Sequence, residues 1–201
     1  MTTPEDCPYV SRGGLKLAHA LATFGIDATG KRCADLGCST GGFTDCLLQH
    51  GAAGVVAIDT AYGQLAWKLR KDARVIVQER TNAIHNRPAS DGERVDLVVV
   101  DLGWTKQKLL LPAALAWAKD DGKIITLIKP HYEREDRPKH GEVVLSREES
   151  EAIVQRVVVE IEAAGATVKA MTESPILGGA KAGARATGTG NLEWLALLER
   201  R

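Results

Sequence analysis

Asp35-Leu36-Gly37-Cys38-Ser39-Thr40-Gly41-Gly42-Phe43-Thr44-Asp45 reads as the end of a strand, a glycine turn and the start of a helix. Glycine takes up φ > 0 and lets the backbone pass close to a ligand. Further along, Val55-Val56-Ala57-Ile58-Asp59 is a second apolar run that ends in an acid. A carboxylate at the tip of a strand can accept both hydroxyls of a ribose. Together these stretches predict a nucleotide-type cofactor across the carboxyl ends of parallel strands. The plainer alternative is a strand, turn and helix with no ligand; two strand-end acids beside a glycine cluster weigh against it.

Gly37, Gly41 and Gly42 do not have the Gly-x-Gly-x-x-Gly spacing that sets a pyrophosphate on a helix N-terminus, and no Walker A lysine follows them. Asp35, just before the turn, argues against a diphosphate there. It suits a cationic or zwitterionic ligand such as the amino-acid end of S-adenosylmethionine.

Working outward, strands are predicted at 32–36, 54–59, 74–78, 95–101, 122–129, 166–172 and 192–198, the last two as antiparallel neighbours. Helices are predicted at 13–24, 42–50, 63–70, 108–119 and 146–164. The continuous apolar run of 95–101 suits a strand covered on both faces. Pro112 is tolerable only near the first turn of its helix. Ser146 is placed to cap the last helix, with Glu148 and Glu149 in its first turn. The alternation implies an α/β fold: a seven-stranded, mostly parallel open sheet with helices on both faces. Its ligand crevice lies where the strand order reverses. Two polar segments, 131–145 and 177–190, are read as loops flanking that crevice.

The 201 residues suit one domain, 1–201, with 1–8 loose. With 26 Lys and Arg against 26 Asp and Glu, bulk charge does not advertise a nucleic-acid partner. A local basic run, Lys68, Arg70, Lys71, Arg74, Arg80 and Arg87 against Asp72 and Glu79, is either an RNA patch or a solvated face. The cysteines Cys7, Cys33, Cys38 and Cys46 form no Cys-x-x-Cys pair, and no histidine sits at ligand spacing, so no zinc site is expected. Cys33 and Cys46 read as small core residues. Without a signal peptide or a long apolar stretch, a reducing cytoplasm is the expected setting.

The residues with chemical potential converge at strand ends. Asp101 and Lys129 each follow an apolar strand, and Pro130 fixes the chain beyond Lys129. Burying an ammonium is costly, so Lys129 either has a purpose or reaches solvent from the rim of the sheet. Lys16 and Glu193 can join them, from the first helix and the last strand.

Tyr9 to Lys16, Asp35 to Asp45, Ala61-Tyr62-Gly63-Gln64-Leu65-Ala66-Trp67-Lys68-Leu69-Arg70, Glu79-Arg80-Thr81-Asn82, Lys129-Pro130 and Ser174-Pro175-Ile176 resemble the TlyA branch of the FtsJ-like RNA 2′-O-methyltransferases. The blocks recur in family order over residues 9 to 197. The resemblance implies a class I, Rossmann-like methyltransferase fold, S-adenosylmethionine as methyl donor and ribosomal RNA or ribosomal subunits as partner. It places the family's Lys-Asp-Lys-Glu tetrad on Lys16, Asp101, Lys129 and Glu193.

A ribose 2′-hydroxyl is a poor nucleophile and needs deprotonation or firm orientation as the new bond forms. Lys129 is expected to steer or deprotonate it, with Lys16 stabilising the developing oxyanion. Lys16 and desolvation push the pKa of Lys129 down, Asp101 and Glu193 push it up, and the sequence leaves the net direction open. Gly37, Ser39, Gly41 and Gly42 are expected along the methionine end, with Phe43 alongside; Asp59 takes the ribose, Asn82 the adenine edge, and Asp101 lies near the methyl and amino groups. Asp35, Cys38, Thr40, Thr60 and Thr81 complete the expected cofactor set. Trp67 is expected to pack as a core residue of its helix. RNA phosphate contacts are expected from Ser11, Arg12, Lys68, Arg134, Arg137 and Lys181, with steep salt dependence.

The match has departures. The family carries a small S4-type RNA-binding domain before the catalytic part, and this sequence starts at the catalytic part. RNA targeting then falls to the domain itself, to a separate targeting protein, or to a missing piece. Leu102-Gly103-Trp104-Thr105-Lys106-Gln107 replaces the family's Val-Ser and apolar residues, and His131-Tyr132-Glu133 varies its Gln-Phe-Glu. Two other functions remain open: methyl transfer to a small-molecule or protein acceptor in a closed pocket, and a non-catalytic RNA- or ribosome-binding module that keeps a cofactor site. The family's haemolysin label finds no membrane-spanning stretch here.

Overall fold

The computed structural model describes residues 7–135, 144–178 and 190–201. The strands are β1 Arg32–Leu36, β2 Gly54–Ile58, β3 Val75–Gln78, β4 Val95–Val100, β5 Ala118–Ile128, β6 Ala166–Glu173 and β7 Trp194–Arg200. The helices are α1 Gly13–Phe24, α2 Gly42–Gln49, α3 Trp67–Arg70, α4 Gln107–Trp117, α5 Pro130–Glu133 and α6 Arg147–Ala163. The strands form one sheet in the order β3-β2-β1-β4-β5-β7-β6. β1 to β5 are mutually parallel, and β7 runs antiparallel between β5 and β6. The order reverses between β1 and β4, so a crevice opens there at the carboxyl ends.

Both faces of the sheet are covered. Leu97 and Val99 of β4 pack with Leu17, Leu21 and Leu47 of α1 and α2, while Val98 and Val100 pack with Leu110, Leu111, Val157 and Ile161 of α4 and α6. Burial on both sides is why the run shows no alternation. Cys33 and Cys46 lie in this core. Ser146 caps α6 in a reciprocal box: its hydroxyl accepts from Glu149 N at 3.1 Å, and the Glu149 carboxylate accepts from Ser146 N at 2.8 Å.

The structure redraws several predicted boundaries. Only Trp67–Arg70 of the predicted helix 63–70 is helical. Upstream, Gly63 takes φ 75° with its N–H donating to Glu79 at 2.9 Å, and the Leu65 carbonyl accepts from Arg70 Nε at 3.0 Å. Trp67 is 68% exposed rather than packed, because a single turn buries one side chain, Leu69; Lys71 Nζ lies 4.9 Å from the Trp67 ring. α4 ends at Trp117, two residues earlier than predicted, and Pro112 lies inside it. Arg94 to Asp120 and Lys119 to Asp96, each at 2.5 Å, hold the next residues against β4, so β5 starts at Ala118. α5 was not predicted, and Glu193 lies just before β7 rather than within a strand 192–198.

Candidate active site

The strand ends open into one cleft of about 490 Å³. Gly37, Cys38, Ser39, Thr40, Gly42 and Phe43 line it from the glycine loop, and Asp59 and Thr60 from the end of β2. Asp101 and Lys129 line it from β4 and β5, and Ser11, Arg12 and Lys16 from the N-terminal side.

Two glycines are dictated by contact. Gly37 has φ 93° and a Cβ there would lie 2.7 Å from Asp101 O; Gly41 has φ 101° and a Cβ there would lie 2.3 Å from Leu69 Cδ1. Ser39 is left-handed without being glycine, at φ 48°. Its N–H donates to Asp59 Oδ2 at 2.7 Å, which ties the loop to the end of β2.

Asp35 does not line the cleft. It is fully buried: Oδ2 accepts from Thr44 N at 3.0 Å and Thr44 Oγ1 at 2.7 Å, and Oδ1 has no partner. Burial pushes its carboxyl up to about 7 against the opposing Thr44 hydrogen bonds. Its role in the fold is to anchor the start of α2 beneath the loop. Gly41, Thr81 and Asn82 also lie off the cleft wall; Asn82 Oδ1 accepts from Ile84 N at 3.1 Å, and Thr81 N donates to Asp59 O at 2.9 Å.

The charged residues meet because of the β5–β7 register. Ile128 pairs with Trp194 in an antiparallel ladder, so the next step outward sets Lys129 beside Glu193. Lys129 forms an ion pair with Asp101, and Lys16 Nζ with Glu193 Oε2 at 2.5 Å. Lys16 and Glu193 are both buried. Gly178 makes room for this pair, since a Cβ there would lie 2.0 Å from Glu193 Oε1. Burial favours neutral Lys129, but the charge and hydrogen bond of Asp101, with Glu193 beyond, outweigh it; its pKa is raised. The free protein therefore holds Lys129 as an ammonium, which answers the direction the sequence leaves open.

Aromatic side chains stand at the rim. Trp104 is 72% exposed with φ 59°, its ring centroid 4.7 Å from that of Tyr132. The ring of Tyr132 also lies 5.7 Å from Lys129 Nζ. Among the predicted RNA contacts, Ser11 and Arg12 line the cleft, while Lys68 is paired with Asp45 at 2.9 Å on α3. Arg134 follows α5, and Arg137 and Lys181 lie outside the described residues. Leu102, Gly103 and Ile176 also line the cleft, although no site role was expected for them individually; Leu177 and Gly178 line it too, from the segment 177–190 expected to flank the crevice. The available signal was that both segments follow strand ends.

This arrangement of glycine loop, strand-end acids and paired lysines agrees with a family-wide match: the model of the FtsJ-like methyltransferases covers residues 9–182. The chain belongs to the FtsJ-like methyltransferase family. It is 51% identical over 133 residues to the 16S/23S rRNA (cytidine-2′-O)-methyltransferase TlyA of Mycobacterium tuberculosis, over 66% of this chain and 50% of that protein. The chain thus spans about half the length of that curated relative. A solved Streptococcus thermophilus protein, provisionally named a hemolysin, superposes with a TM-score of 0.87 at 36% identity, covering 98% of this chain and 69% of that one. An S-adenosylmethionine dependent methyltransferase from Mesorhizobium loti shares the fold, with a TM-score of 0.61 at 15% identity over 91% of this chain and 96% of that one. The FtsJ-like chain therefore has the class I, Rossmann-like methyltransferase fold. Among the described residues, no helix is long and apolar enough to cross a membrane.

Proposed function

We propose that the chain transfers the methyl group of S-adenosylmethionine to a ribose 2′-hydroxyl of ribosomal RNA. The observation that carries this reading is the convergence of Lys129–Asp101 and Lys16–Glu193 on one cleft, next to a glycine loop that belongs to a methyltransferase family. The name of the mycobacterial relative supplies the substrate class.

The cleft fits the donor. Its volume lies in the range of small-molecule sites, about 300–1,000 Å³. Gly37 and Ser39 bring backbone to the loop edge, and Gly42 and Phe43 close the methionine end. Each oxygen of Asp59 accepts one backbone N–H and retains a lone pair for a ribose hydroxyl. Held by the glycine loop and Asp59, the donor would supply an electrophilic methyl on a sulfonium, and the acceptor's hydroxyl proton would pass to solvent.

The chain's own groups prepare the acceptor. Lys129, kept as an ammonium, donates to the 2′-oxygen and stabilises the negative charge that builds there. Asp101 orients Lys129, and Glu193 holds Lys16 where it adds positive potential on the same side. A nucleotide splayed from its helix suits such a cleft, since the hydroxyl has to reach the methyl. Ribosomal RNA as acceptor implies a cytoplasmic setting, and a separate targeting protein can contribute to recognition of the RNA.

The test is methyl transfer from labelled S-adenosylmethionine to ribosomal subunits and to naked rRNA. Label in alkali-resistant dinucleotides is the expected result. Cofactor binding without transfer to any RNA would overturn the acceptor assignment.

A further inference from the structure

Behind the Lys129–Asp101 pair lies a buried polar cluster that the proposed reaction does not use. Glu133 closes α5, the short helix that begins just after Lys129, and is 1% exposed. Its Oε1 accepts from Gln107 N at 2.7 Å. Gln107 opens α4, where the loop leaving Asp101 ends. The Gln107 side chain reaches back to β5: Nε2 donates to Leu127 O at 3.1 Å, and Oε1 accepts from Thr126 Oγ1 at 2.8 Å. Arg156 of α6 donates to Glu133 O at 2.8 Å.

These bonds stitch two segments together, one carrying Asp101 and the other Lys129. Apolar side chains would fill the same volume without fixing its orientation, and buried polar groups cost free energy unless each finds a partner. A cluster of this kind, directly behind the charged pair, specifies the register between the two segments.

The Glu133 carboxyl accepts through one oxygen only. Oε1 takes the Gln107 N–H, while Oε2 is buried with no partner. Burial raises the pKa of the group, the Gln107 hydrogen bond opposes this, and the charge of Glu160 adds to it.

We infer that Glu133 is a positioning residue: through Gln107 it holds the segment bearing Asp101 in register with Lys129, and so keeps the Lys129 ammonium at the reacting hydroxyl. This rests on the methyl-transfer reading of the site.

The experiment compares wild type, Glu133→Gln and Glu133→Ala in steady-state methylation of ribosomal RNA, with cofactor binding measured separately. Glu133→Gln keeps an accepting oxygen and is expected to retain kcat within about twofold. Glu133→Ala removes it and is expected to lower kcat about tenfold, with the KM values of cofactor and RNA unchanged. Unchanged kcat in Glu133→Ala overturns the inference, as does an equal loss in Glu133→Gln or a matching loss of cofactor binding. If Glu133→Ala fails to fold, Thr126→Val removes the Thr126–Gln107 bond at nearly constant shape. It is then expected to lower kcat by about threefold, and unchanged kcat overturns the inference. Wild type that binds cofactor but methylates no RNA overturns the functional reading, and this inference with it, before any variant is compared.

Discussion

Along β1 and β2 the cleft is shaped by main chain: glycines at φ 93° and 101°, a left-handed Ser39, and amides held by the Asp59 carboxylate. Across from it, β4, β5 and β7 present two lysines paired with two acids, backed by the Glu133–Gln107 cluster. The first wall is sensitive to volume and dihedral angle, because backbone sits where a side chain would clash. The second is sensitive to charge and to the groups that orient it. Damage to the two walls should therefore appear in different measurements.

The largest effect is expected on the charged wall. Lys129→Ala should lower the rate of methyl transfer about a thousandfold while cofactor affinity stays within about twofold. Single-turnover kinetics beside calorimetric cofactor titration reads both, and a large loss of affinity would erase the distinction between the walls. Just behind the main-chain wall, Gly41→Ala forces a Cβ against Leu69 at positive φ. It should cost about 3 kcal/mol of stability and weaken cofactor binding, seen in denaturant unfolding and titration. A variant with full cofactor affinity would show that the loop adapts.

Asp35 gives a subtler test of the same wall. Its carboxyl rises from the usual 3.8 to about 7 on folding. Between those values the folded chain holds a proton that the unfolded chain lacks, so stability falls as pH rises through that window. The expected contribution is about 2 kcal/mol lost between pH 5 and pH 8. Asp35→Asn should flatten this part of the profile in denaturant titrations at the two pH values; an unchanged slope would assign it to other groups. Smallest is Ser146→Ala, which removes the cap of α6 and touches neither wall. It should cost about 1 kcal/mol in thermal or denaturant unfolding and leave both kcat and cofactor affinity alone.

The two walls were unequally legible in the sequence. The seven strands and the antiparallel pair at the end follow from apolar runs punctuated by glycine, and the loop 37–42 follows from its glycines, whereas the strand order comes only from the structure. Asp101 and Lys129 were nameable because each closes an apolar strand, and the family resemblance added Lys16 and Glu193, but pairing distances and the direction of the Lys129 shift depend on a register between residues distant in the chain. Asp35 shows the limit most plainly. A strand-end acid reads the same whether it faces the cleft or lies beneath the loop, and only the packing of Thr44 against it distinguishes the two. Trp67 misled for a related reason: the spacing was helical, but Gly63 takes φ 75° and the Leu65 carbonyl accepts from Arg70 Nε, so the helix is a single turn.

The insertion of β7 between β5 and β6 has a consequence for when the site can exist. β7 follows the other six strands in sequence yet is an interior member of the sheet, with a neighbour on each side. Until it slots in, β6 has no partner in the sheet and Lys16 lacks its acid. Contacts this distant in sequence form late, since chain entropy has to be lost before they give anything back. The chemistry of the cleft is thus tied to the arrival of β7: without residues 194–200 the chain has the glycine loop but not the seam that seats Glu193 beside Lys16.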